Sequence, residues 1–180
     1  SPRAFSPKPV EKEKLQSMIE AARWSPSAFN GQPWRFIVGI KGKGKTYEKI
    51  RESMVDFNQI WSITAPVLIV AVGKKVVDAN NKPNDSWQYD IGQSMAYLTM
   101  QAMDMGLYAH QMTGLSREKL AELFNVPETY EPFSVIAVGY IGDAAQLPED
   151  FQKMERAERS RLPYNELVFE ERFGQSSDLF

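Results

Sequence analysis

The residues Gly39-Ile40-Lys41-Gly42-Lys43-Gly44-Lys45-Thr46 fit the spacing G-x-x-x-x-G-K-[ST], between a predicted strand and a predicted helix. In that context backbone N–H groups and a helix start could cradle phosphate, with Lys45 on the terminal phosphates and Thr46 on magnesium. Such a site also needs an acid, usually at the end of a buried strand, to hold the metal through water. One strong strand ends Val70-Ala71-Val72-Gly73-Lys74 without an acid, and the other ends Val138-Gly139-Tyr140, reaching Asp143 only beyond its end. The same residues also read as a solvated Gly/Lys connector, so a nucleotide-binding loop stands as the alternative. His110 is the single histidine and there is no cysteine, which excludes thiol catalysis and Cys-based zinc or iron–sulfur chemistry and argues against any metal site. For His110 the preferred reading is a satisfied, partly buried side chain. The methionines from Met95 to Met105 read as core and packing residues.

The elements that must position such residues follow from hydrophobic periodicity. Leu15, Met18, Ile19 and Ala22 form the stripe of an amphipathic helix over residues 10–23, ended by Pro26. The turn-rich stretch 25–33 leads into a strand over 35–40, a helix over 46–58, and a strand over 66–73 buried on both faces. Residues 74–88 read as a polar loop. Over 90–105 Ile91, Met95, Leu98, Ala102 and Met105 keep helical spacing, and apolar residues on the other faces predict burial nearly all round. Gly106 is placed as the left-handed stop. A helix over 116–124 and a strand over 133–140 follow, then a polar segment, 143–180, read as an arm packing on a partner subunit.

The chain has 180 residues with 21 basic and 23 acidic side chains, a net charge of −2. One domain is expected. Charges spread along the whole length give no footprint for nucleic acid or an anionic membrane. The longest strongly apolar run, 65–73, falls short of the ~20 residues a membrane helix needs. Lack of disulfides fits a cytoplasmic home. The chain opens at Ser1 without a methionine, which suggests a trimmed start.

Four segments, in order, resemble the FMN-dependent nitroreductase family. Ser1-Pro2-Arg3-Ala4-Phe5 looks like the end of its N-terminal Arg-x-Ser-x-Arg/Lys-x-Phe element, whose first arginine would lie upstream. Trp24-Ser25-Pro26-Ser27-Ala28-Phe29-Asn30-Gly31-Gln32-Pro33-Trp34 resembles its A-P-S-x-x-N-x-Q-P-W signature, the most distinctive of the four. Tyr108 to Leu115 is similar to the loop that passes the flavin ring, and Arg159-Ser160-Arg161-Leu162-Pro163 to the C-terminal segment that returns to the phosphate. Asn58 corresponds to an Asn that often hydrogen-bonds the ring. Trp61 stands where many members carry Lys.

The resemblance implies an α+β, three-layer αβα fold with a mixed, mainly antiparallel sheet, in an intertwined homodimer joined through the 90–105 helix and exchanged arms. It implies FMN held by Ser1, Arg3, Arg159 and Arg161 at the phosphate, and by Pro26, Ser27, Ala28, Asn30, Gln32, Asn58, Gln111, Met112, Thr113 and Gly114 around the ring. Arginine forks suit phosphate oxygens, and amides both donate and accept along the ring edge. On residue physics alone Arg159 and Arg161 read rather as part of a solvated, charge-alternating segment, which only the resemblance reverses, and residues 25–32 also read as a helix-terminating turn. The implied activity is ping-pong hydride transfer from NAD(P)H through flavin N5 to an electron-poor small molecule such as a nitroaromatic or quinone, with no catalytic side chain needed. Phe29, Trp61 or Trp87 could line the cleft. A flavin-binding protein without turnover, and dehalogenation, are further options on the same fold.

Overall fold

The computed structural model describes residues 1–79 and 81–178, so residue 80 of the predicted 74–88 loop and the last two residues of the predicted arm lie outside the described residues. Four strands form one sheet, β1 (Trp34–Ile40), β2 (Val67–Lys74), β3 (Tyr108–Met112) and β4 (Tyr130–Gly139), in the order β1-β2-β4-β3. All three pairings are antiparallel, so the mixed character expected for the sheet is absent among the described residues. The central strand β2 is buried from Val67 to Gly73, as its run of Val, Leu, Ile and Ala requires.

Because successive side chains of a strand face opposite ways, β2 serves two cores. Leu68, Val70 and Val72 join Trp61, Tyr47, Ile50, Leu120 and Phe151 on one face. Val67, Ile69 and Ala71 join Met18, Ala22, Ile91, Met95 and Leu98 on the other. The first face is covered by α2 (Thr46–Glu52), α3 (Asp56–Ser62), α5 (Arg117–Phe124) and α6 (Glu149–Arg156). The second is covered by α1 (Lys12–Arg23) and α4 (Trp87–Asp104), which completes three layers.

Several sequence expectations need correction. The single helix expected over 46–58 is two, α2 and α3, parted where Met54 bridges to Leu115 and the Val55 N–H donates to the Gly114 carbonyl at 3.1 Å. These tertiary hydrogen bonds replace the helical ones. The segment 108–112, expected as a loop, is the edge strand β3, in register with β4 from Tyr108↔Gly139 to Met112↔Val135. The expected arm includes a helix, α6, whose Phe151 enters the core with its ring tilted 4.9 Å from that of Phe57. Beyond α6, residues 156–167 and 170–176 are exposed throughout. Helix α4 buries one face through Ile91, Met95, Leu98 and Ala102. On the other, Tyr89 (72%), Met100 (67%) and Met103 (57%) are exposed in the single chain, so burial all round does not hold. Gly106 ends α4 with φ 73°, as expected.

Candidate functional site

Helix α3 and the turn after it carry three residues spaced by three, Asn58, Trp61 and Thr64, and each reaches a different part of the chain. Asn58, buried, donates through Nδ2 to the Gly114 carbonyl at 3.1 Å. Gly114 is required there: a Cβ would sit 2.8 Å from Asn58 Nδ2 and 3.0 Å from Val55 Cγ2. Trp61, fully buried, packs its ring 4.5 Å from that of His110 on β3 and 6.5 Å from Phe5. It therefore belongs to the core and lines no open cleft. Thr64 Oγ1 lies 2.8 Å from the Arg3 carbonyl and 3.0 Å from the Trp61 carbonyl, sharing its proton, and accepts from the Phe5 N–H at 3.2 Å.

The N-terminal segment is thus bound into the body of the domain. Ser6 and Gly142 N–H groups join it to the end of β4. Both oxygens of Glu155 accept from the Arg3 N–H, at 3.0 and 2.8 Å, and Oε1 also accepts from the Ala4 N–H at 3.2 Å. His110 Nδ1 lies 3.0 Å from the Pro2 carbonyl. Burial holds the His110 ring well below its ordinary pKa, at about 4, so the imidazole is neutral near pH 7 and Nδ1–H is the donor. This is the satisfied, partly buried histidine expected. The Arg3 Nε is buried with no hydrogen-bond partner, and so is Trp61 Nε1. A buried, unpaired guanidinium donor is costly unless something anionic meets it.

The turn-rich segment 25–33 is a second group. Phe29, Asn30 and Gln32 take left-handed φ values of 52°, 54° and 44°, a conformation unfavourable for residues with a Cβ. Two contacts hold it. The Gln32 N–H donates to Ser27 Oγ at 3.0 Å, and the Ala28 N–H donates to both carboxylate oxygens of Asp90, at 3.2 and 3.3 Å. Asp90 is buried in the first turn of α4. Gln32 Nε2 turns back to the Asn30 carbonyl, and Phe29 is fully exposed. Pro33, Asn30 and Gln32 border a cavity of about 890 Å³ with Arg35, Lys74 and Ser86.

One chain does not gather all the expected residues. Arg3, Asn58 and the turn Met112-Thr113-Gly114 lie around α3, and Pro26 to Gln32 lie at the start of α4. Gln111 Nε2 donates to Thr99 Oγ1 at 2.9 Å, on α4 nine residues after Asp90 and so about 13 Å along that helix. Arg159 and Arg161 are exposed, and Arg161 Nη1 donates to the adjacent Ser160 carbonyl. Trp87, another cleft candidate, is in the core, edge-on to Phe133 at 5.5 Å.

Three positioning residues, Asp90, Thr64 and Glu155, carry little or no signal in the sequence. Asp90 left a trace, an acid in the first turn of α4. Thr64 and Glu155 left none, since their partners are main-chain atoms 61 and 152 residues away. The Gly39–Thr46 loop has other structural reasons for its glycines: a Cβ at Gly39 would stand 2.7 Å from Tyr47 Cα, and Gly42 and Gly44 hold φ of 78° and 67°.

The fold is an α+β three-layer scaffold, and residues 1–140 match the family model described as Nitroreductase family. The chain belongs to the nitroreductase family, a family of oxidoreductases. It is 32% identical to a crystal structure described as an oxidoreductase containing FMN, with a TM-score of 0.91 over 98% of this chain and 89% of that one. A nitroreductase family protein from Clostridium difficile superposes with a TM-score of 0.75 at 25% identity, covering 96% and 94%. An Archaeoglobus fulgidus protein provisionally named NADH dehydrogenase/NAD(P)H nitroreductase is 28% identical over 78% of this chain and 80% of its own. An iodotyrosine deiodinase of Haliscomenobacter hydrossis is 26% identical, covering 86% and 81%. A Mycolicibacterium smegmatis protein of 15.4 kDa is 38% identical over 47% of this chain, and the chain spans only 57% of that protein. No helix among the described residues is long and apolar enough to cross a membrane.

An FMN phosphate fits the residues present. The unpaired Arg3 Nε is the kind of donor a dianion would take up, and the close approach at Gly114 brings main chain beside Asn58.

Proposed function

We propose that this protein is an FMN-dependent NAD(P)H oxidoreductase that works as a homodimer in the cytoplasm on electron-poor small molecules. The observation that carries the reading is the unpaired, buried Arg3 Nε on a main chain held at Pro2, Arg3 and Ala4, in a chain of this family. When bound, FMN supplies a hydride acceptor and donor at N5, first for NAD(P)H and then for the second substrate in a ping-pong sequence.

The chain's own residues have binding and orienting work to do. Arg3 anchors the phosphate, with Ser1, Arg159 and Arg161 adding donors. Asn58 spends Nδ2 on Gly114 and keeps Oδ1 for a ring N–H. Asp90 and Ser27 hold Asn30 and Gln32 in strained conformations that present polar groups to the ring. The neutral His110 transfers no proton and serves the N-terminal segment.

The split of the site supports a second copy. Loop 25–33 of one protomer is then paired with the Arg3 and Asn58 group of the other, and the exposed Tyr89, Met100 and Met103 face of α4 and the exposed 156–167 arm supply the contacts. FMN titration with light scattering tests this. One FMN per chain on a dimer supports the reading, and stoichiometric flavin on a clean monomer overturns the dimer.

The deiodinase relative favours a second acceptor chemistry, reductive dehalogenation. Turnover of a halotyrosine in preference to a nitroaromatic or quinone would select it.

A further inference from the structure

The geometry points to Glu155 and Thr64 as positioning residues that set the selectivity of the site for a phosphorylated flavin. They fix the main chain from which Arg3 reaches. The inference rests on the FMN reading above.

Glu155 stands near the end of α6, half-buried, and none of the ion pairs among the described residues joins it to a cation. Its charge is directed at main chain instead: Oε1 and Oε2 accept from Arg3 N–H, and Oε1 from Ala4 N–H. Hydrogen bonds to an ionised acceptor are about twice as strong as neutral ones. On the far side of the same residue, Thr64 Oγ1 holds the Arg3 carbonyl at 2.8 Å. Arg3 is thereby held at both its N–H and its C=O, yet its Nε has no partner.

A long arginine loses rotamer freedom when ordered, and a fixed root lowers the further loss on binding an anion. Glu155 is bonded to the main chain of Arg3 and Ala4 and forms no ion pair with the Arg3 guanidinium among the described residues. Glutamine at 155 would offer one acceptor oxygen and an N–H group that opposes the main-chain donors. The effect is therefore specific to the phosphate end of a flavin.

The test compares dissociation constants for FMN and for riboflavin, which lacks the phosphate, in the wild-type protein, Glu155→Gln, Thr64→Val, Arg3→Ala and Arg3→Ala/Glu155→Gln, with thermal midpoints of the flavin-free forms alongside. The expected result is a weakening of FMN by about tenfold or more in Glu155→Gln and Thr64→Val, with riboflavin changed less than twofold. In the Arg3→Ala background Glu155→Gln should have no further effect, since the coupling runs through Arg3. Parallel weakening of both flavins, unchanged FMN binding, or additive loss in the double variant overturns the positioning role while leaving the FMN reading intact. A wild-type protein that binds neither flavin overturns both.

Discussion

Asn58 Nδ2 and the Gly114 carbonyl meet at 3.1 Å across 56 residues of sequence, and Gly114 is the position at which a side chain would strike that same amide. The two are therefore one unit. Gly114→Ala should cost about 1–3 kcal/mol through overpacking, and Asn58→Ala about 1 kcal/mol because the carbonyl keeps its bond from the Val55 N–H. Denaturant unfolding of the double variant should show less than the summed loss, since removing Asn58 opens space for the new methyl. Full additivity would refute the coupling.

Asp90 holds the strained 25–33 loop through the Ala28 N–H. Asp90→Ala removes the acceptor of the exposed Ala28 N–H and should lower stability by about 0.5–1.5 kcal/mol. It should also raise protease sensitivity within 25–33 and weaken FMN binding. Asp90→Asn, which keeps one acceptor oxygen, should fall between. Unchanged proteolysis in Asp90→Ala would show that the loop holds itself.

His110 has a folded pKa of about 4 against an ordinary 6.5. The unfolded chain thus takes up a proton that the folded chain refuses. The linked stability is full above pH 6.5 and falls as pH drops toward 4, by roughly 3 kcal/mol at most. Thermal unfolding across pH 7 to 4 should drop more steeply in the wild type than in His110→Gln. Equal slopes would mean that the ring is more hydrated than its contacts with Trp61 and Pro2 indicate.

Lys45→Ala should leave flavin content and reductase turnover within twofold of wild type, because the Gly39–Thr46 glycines are explained by packing and turn geometry. Mg-ATP binding that disappears in this variant would instead favour the nucleotide-loop reading.

Much of this was legible in the sequence because it is local. The Val, Leu, Ile and Ala run of β2, the stripe of α1 and the Gly106 stop each report a nearby backbone geometry, and the order of the four segments pointed to the family that residues 1–140 match. What escaped was set by distant partners. The break between α2 and α3 is fixed by Gly114 and Leu115, and β3 carries polar His110 and Gln111 yet is a strand through its register with β4. Trp61 looked available to a cleft, but its neighbours Phe5 and His110 come from far along the chain and enclose it. For the site, residue types suggested who could bind, while Glu155, Thr64 and Asp90 act on main-chain atoms and carry no type signal.

The proposed function requires this chain to hold a redox-active flavin. The most direct measurement is the visible spectrum of the purified protein, followed by anaerobic addition of NADH and, separately, NADPH. The expected result is a yellow protein, or one made yellow by added FMN, whose absorption bleaches with at least one of the two. A colourless protein that FMN cannot reconstitute would contradict it.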